Sequence, residues 1–191
     1  MNQTDICNIA LSLVGSQRIT IITENSEAAR VLAAIYPNVL DTVMSAHPWT
    51  FSTKRVVLAM LATPPAFGYD NQHQIPSDCL RPLKAYNGTS DDDYMTEYKV
   101  EDNKILSNEG TVYLRYIKRN TDCSTYNSAF INTLAARLAA DIAFPIANDK
   151  SLAEALMKSY ALKLSEAKAL DSQSSGKIET EGEDTWEGSR V

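Results

Sequence analysis

The chain is poor in the residues that carry out chemistry. Its 191 residues include two histidines, His47 and His73, and three cysteines, Cys7, Cys79 and Cys123. No Cys-x-x-Cys pair occurs, which argues against a structural zinc site. Isolated cysteines in odd number also argue against a disulfide framework and fit a reducing cytosol. Cys7 falls on an apolar helix face and reads as a small buried hydrophobe. The seven glycines never cluster into a loop that could cradle phosphates, so a nucleotide-binding fold is not expected. Positive charge is short as well: 18 Lys and Arg face 24 Asp and Glu, for a net charge of −6. That balance argues against a duplex-binding module held on by phosphate neutralisation. Lys54-Arg55 and residues 115–119 are the basic stretches, both in strand-like sequence where alternating cations mark a solvated face. The longest apolar run, residues 56–62, falls far short of the roughly 20 needed to span a bilayer. The opening residues lack the basic region and long apolar core of a secretion signal. The expectation is a soluble, non-secreted protein with no membrane partner, no cofactor and no metal.

What the chain does have is an apolar fraction of 44%, enough for a real core, and a length suited to one domain with an insertion. The most informative stretch is Ser45-Ala46-His47-Pro48-Trp49-Thr50-Phe51-Ser52. Proline disfavours helix for the residue before it, so a preceding helix should end near Ala46. Trp49 and Phe51 then alternate on one face of a short extended segment and are assigned as core anchors.

Periodicity supplies the rest. Thr4 is a candidate cap for a first helix striped by Ile6, Ile9, Ala10 and Leu13 and stopped by Gly15. Residues 16–23 read as a short strand or extended connector. A second helix opens at Asn25 or Ser26, with Ala28, Val31, Leu32, Ile35, Val39, Leu40 and Val43 on its stripe; Pro37 should kink or split it. From 51 to 119 the period changes to that of strands, at 55–61, 80–86, 94–100, 104–106 and 111–118, and predicts an antiparallel meander. Helix returns after Thr125, rich in alanine and ended by Pro145, and Ser151-Leu152-Ala153-Glu154 reads as a capping box opening a last helix. The predicted fold is α+β: a mainly helical antiparallel bundle from residues 1–51 and 121–171, a β-rich insertion at 52–120, and a flexible polar tail at 172–191. Within that tail Trp186 and Arg190 are assigned to an interface, being residue types that dominate interface energetics.

No catalytic constellation emerges. Asp91-Asp92-Asp93 lacks the ligand spacing of a calcium loop and reads as a solvated turn. Asp78-Cys79 with His73 or His47 lacks a nucleophile's helix-start or glycine-elbow context.

Five segments, in order, resemble the tail tubular protein A family, the head-to-tail adaptors of short-tailed phages and prophages. They are Asn8-Ile9-Ala10-Leu11-Ser12-Leu13-Val14-Gly15 with Ile19; Ala28-Ala29-Arg30 through Tyr36 and Leu40 to His47-Pro48-Trp49-Thr50-Phe51 and Arg55; and Gly68-Tyr69 with Ile75-Pro76-Ser77-Asp78-Cys79-Leu80-Arg81. Then follow Val112-Tyr113-Leu114-Arg115-Tyr116-Ile117 with residues 134–140, and Asp184-Thr185-Trp186-Glu187-Gly188-Ser189-Arg190. The resemblance implies a non-enzymatic virion protein of the viral tail, made in the host cytoplasm. It implies a homo-oligomeric, dodecameric ring between portal protein and tail nozzle, with tail fibres as a further partner. DNA would pass through this connector during ejection without specific binding. Two other classes remain open: a head-completion protein of a long-tailed phage, and a small cytosolic enzyme with a pocket in the β-insertion.

Overall fold

In the computed structural model, described here for residues 1–174, the chain is a mixed α+β fold of four helices and two small antiparallel sheets. Helix α1 (Gln3–Leu13) starts on Asn2 rather than Thr4. The Asn2 side chain accepts from the Asp5 amide and Asp5 accepts from the Asn2 amide, at 2.9 and 2.8 Å. This reciprocal pairing satisfies two donors at the helix start, which a Thr4 cap would leave inside the first turn. Gly15, at φ +71°, takes the left-handed turn that ends the helix. Residues 16–23 form no strand. Their backbone is held instead by Asn8, whose amide accepts from Ile19 N and donates to Ile19 O, both at 2.9 Å.

Helix α2 (Glu27–Ser45) is capped by Ser26 and runs through Pro37 without a break. Proline removes one donor and crowds the turn before it, but the turns on either side keep their bonds when the rest of the helix is packed. The buried stripe is Ala29, Leu32, Tyr36, Val39, Leu40, Val43 and Met44, rotated slightly from the one expected. Helix α3 (Ser128–Ala147), capped by Asn127, likewise continues past Pro145 and stops at Asn148, whose φ of 52° is left-handed. Helix α4 (Lys150–Ser174) begins on Asp149, which accepts from the Leu152 amide at 2.9 Å. Ser151 therefore lies in the first turn rather than at the cap. The helix also carries three residues beyond 171, where tail was expected.

Helix α3 packs against α1, α2 and α4. Its alanines 135, 136, 139, 140 and 143 are all buried, and side chains that small let three neighbours approach one axis. The same composition makes α3 long and apolar enough to cross a membrane, yet 61% of that stretch is buried within the fold.

The strands are antiparallel but not a meander. One sheet orders β1 (Thr53–Val57), β7 (Tyr113–Lys118) and β4 (Cys79–Tyr86) with β7 in the centre. The other orders β2 (Ala59–Met60), β3 (Asn71–Gln74), β6 (Lys104–Ser107) and β5 (Lys99–Glu101). Strand β5 is shorter than the alternation at 94–100 predicts: Tyr94 makes only an isolated bridge to Tyr86. Strand β3, with the all-polar sequence Asn-Gln-His-Gln, was not expected. Two cores result. One joins the helices to Trp49, Ile117 and Tyr126, and the other fills the β-rich part with Leu58, Ile75, Ala85, Met95, Ile105, Val112, Leu114 and Tyr116. Strand β7 serves both, because Leu114 and Tyr116 point one way and Ile117 the other.

Candidate functional site

The residues singled out by sequence meet where helices join sheets. After α2 ends, residues 48–52 do not extend. They close as a turn in which Trp49 O accepts from the Ser52 and Thr53 amides at 3.0 and 2.9 Å. Alternation of Trp49 and Phe51 thus comes from turn geometry, and both rings still head inward. Trp49 is fully buried, its Nε1 donating to Val43 O at 3.1 Å; Phe51 is half-buried. Phe130 of α3 meets both edge-on, with centroids 5.0 Å from Trp49 and 4.9 Å from Phe51, and Tyr126 completes the cluster at 4.9 Å from Phe130. Edge-to-face pairs of this kind add roughly 0.5–1.5 kcal/mol each beyond their burial.

Polar groups lock the same turn. Asp171, only 2% exposed, accepts from Thr50 N at 3.0 Å and Thr50 Oγ1 at 2.9 Å, and faces His47 Nε2 at 3.2 Å. Burial lowers the His47 pKa below its ordinary value and outweighs the opposing pull of Asp171, with Lys168 and Arg81 adding to the lowering. The shift favours the neutral imidazole, whose Nε2 lies against the carboxylate. Ser52 donates to Lys118 O at 2.5 Å, and Asn120 donates to Phe51 O at 3.3 Å. Beyond β7, Arg119 pairs with Asp41 of α2. Sequence reasoning missed Asp171 and Asn120. Asp171 had a signal: it continues the stripe of Tyr160, Leu164 and Ala167, and a carboxylate on an apolar stripe implies a buried donor.

A second feature lies on the first sheet. Cross-strand register aligns Arg55, Arg115 and Lys84 in one row across β1, β7 and β4. The adjacent row is Val57, Tyr113 and Tyr86. Arg55 and Arg115 of the first row, the whole of the second and the loop at 88–90 border a cleft of about 280 Å³, with Lys84 beside Arg115 but outside its lining. Asp91 sits against Arg55 at 2.7 Å, and Arg55 holds its carboxyl below the usual carboxylate range, Arg115 and Lys84 adding to that effect. Lys84 Nζ lies 4.3 Å over the Tyr94 ring, while Arg115 Nε is buried without a hydrogen-bond partner among the described residues.

The imagined Asp78-Cys79 nucleophile is not assembled. Burial, reinforced by Asp78, raises the Cys79 thiol to about 11, so its thiolate is scarce at neutral pH. Asp78 instead accepts from Tyr116 Oη at 3.0 Å, and His73 lies in the other sheet, its Nε2 3.5 Å from Gly110 O. Among the described residues no group of three or more His, Cys, Asp or Glu is placed to hold a metal ion. Trp186 and Arg190 lie outside the described residues. No protein-family model matches the sequence, and no curated protein matches it.

Proposed function

We propose that this chain is a structural subunit of a phage head-to-tail adaptor, a homo-oligomeric and dodecameric ring between portal protein and tail nozzle that forms part of the DNA conduit. The observation that carries this reading is where the resembling segments lie. Those among the described residues fall on contacts that shape the fold: Asn8 clasps Ile19 within the first, Asp78 accepts from the distant Tyr116, and Trp49 is fully buried against α3. A likeness confined to exposed loops would carry less weight. In this reading the four helices act as an antiparallel bundle and the two sheets as an appended module, rigidly joined at the 47–52 turn.

Both parts leave large apolar side chains exposed, as ring-forming surfaces require. Val57, Met60, Phe67 and Val100 do so on the β-rich part, and Phe144, Leu162 and Leu170 on the helices. A catalytic role is not part of the proposal. The net charge of −6 suits a channel wall that DNA slides past without specific binding.

Mass measurement of the purified chain, alone and with portal protein, followed by negative-stain microscopy, tests the reading. Closed rings, or ring formation on portal, are expected. A chain that stays monomeric under both conditions overturns it.

A further inference from the structure

We propose that the cationic cleft on the first sheet is the docking site for residues 179–187 of this same chain. The cleft offers two kinds of contact side by side. Its charged side is Arg55 and Arg115, with Lys84 next to Arg115 in register, and its apolar side is Val57, Tyr113 and Tyr86, with Val57 55% exposed. Of the three cations, Arg55 already holds a carboxylate, that of Asp91, through both guanidinium nitrogens at 2.7 and 3.1 Å. Arg55 and Asp91 thus show how this surface takes a carboxylate. Among the described residues, Arg115, next to it in register, has a buried Nε with no hydrogen-bond partner, and Lys84 lies over the face of Tyr94. Two guanidinium groups side by side on the cleft wall favour an incoming carboxylate by charge.

The occupant has to bring carboxylates and a large apolar group within a few residues of each other. Residues 179–187, Glu-Thr-Glu-Gly-Glu-Asp-Thr-Trp-Glu, hold five carboxylates, no cation, and Trp186. Other acids near the cleft are less suited. Asp91 is engaged by Arg55, and Asp93 accepts from the Ser90 amide at 2.9 Å. Reach also fits. Helix α4 comes within hydrogen-bonding distance of Thr50 at Asp171, three residues before β1 begins. The twelve residues from Ser174 to Trp186 span up to about 40 Å. The segment can therefore serve the cleft of its own subunit or that of an adjacent one.

The two tryptophans make the test direct. Trp49 is fully buried, so fluorescence accessible to acrylamide in the full-length protein reports Trp186. At low salt Trp186 should be protected. Protection should be lost in about 0.5 M NaCl, where charges are screened within a few ångströms. It should also be lost in Arg115→Glu, and in the combined variant Glu183→Gln, Asp184→Asn, Glu187→Gln, which leaves the described fold untouched. The emission of Trp49 verifies that each variant is folded. Trp186 fully accessible in the wild type at low salt overturns the proposal, as does protection that survives in the folded tail variant. A ring that forms while Trp186 is freely quenched overturns the docking and leaves the adaptor reading standing.

Discussion

Asp171, near the end of the last helix, holds His47 at the end of the second through a 3.2 Å contact while also accepting from Thr50. Removing this carboxylate takes away the acceptor of the Thr50 amide and hydroxyl, which the exposed Thr50 can return to water, and the partner of the partly buried His47. Asp171→Ala should therefore destabilise by about 1–3 kcal/mol. Urea unfolding monitored by circular dichroism measures it. A loss below about 0.5 kcal/mol would mean the turn is held by its aromatic rings alone.

The same pair makes stability depend on pH. The folded state lowers the His47 pKa below 6.5, chiefly by burial, so the unfolded chain binds this proton more readily. Stability from this group is complete above about pH 6.5 and declines as the pH falls toward the folded value. Carboxylates add their own acid loss at lower pH, so the comparison is with His47→Gln. That variant should show a flatter stability profile between about pH 5 and 6.5. Parallel profiles for the two proteins would refute the assignment.

Trp49→Ala should cost about 3–5 kcal/mol, because it empties a fully enclosed ring site and frees the Val43 carbonyl. Phe51→Ala should cost less, its ring being only partly buried. Thermal unfolding ranks the two, and an equal or reversed order would contradict the packing around Phe130.

Asn8 holds the backbone of Ile19 with both halves of its amide. Asn8→Asp keeps the acceptor and loses the donor, so it should cost about 1 kcal/mol or more, and Asn8→Ala more again. Hydrogen exchange at the Ile19 amide provides a local readout: protection should survive in Asn8→Asp and vanish in Asn8→Ala.

Thiol chemistry should be slow. Burial raises Cys7 to about 12 and Cys79 to about 11. In a Cys123→Ser background neither remaining thiol should react appreciably with a disulfide reagent at pH 8 until denaturant is added. Rapid reaction of one equivalent in the folded protein would contradict the burial of these sites.

Local chemistry made several boundaries readable. Ser26 before an apolar stripe and Gly15 after one marked helix ends, and Pro48 marked the end of α2. Pro145 does not end α3 and Pro37 does not split α2, because tertiary packing carries each helix across a single missing hydrogen bond. Strand β3 was hidden for the opposite reason. Asn71, Gln72, His73 and Gln74 have little intrinsic preference for strand, and pairing with β6 creates it. Neighbours in the two sheets are set by contacts far apart in sequence, so a run of strands with turns between them could not reveal that β7 lies between β1 and β4. The candidate site divides the same way. Trp49 and Phe51 stood out by size and spacing, whereas the meeting of Arg55, Arg115 and Lys84 depends on register alone.

The central place of α3 has a consequence for how the protein is made. Helices α1 and α2 both rest on a partner that begins only at Ser128, about 80 residues after Ser45 leaves the ribosome. At roughly 5–20 residues per second, translation leaves their apolar faces uncovered for some 4–16 seconds, far longer than a helix needs to form. Nascent chains should therefore be held by general chaperones until the alanine-rich segment emerges. Slow codons placed before residue 128 should lower soluble yield, and fast synonymous codons at the same positions should restore it.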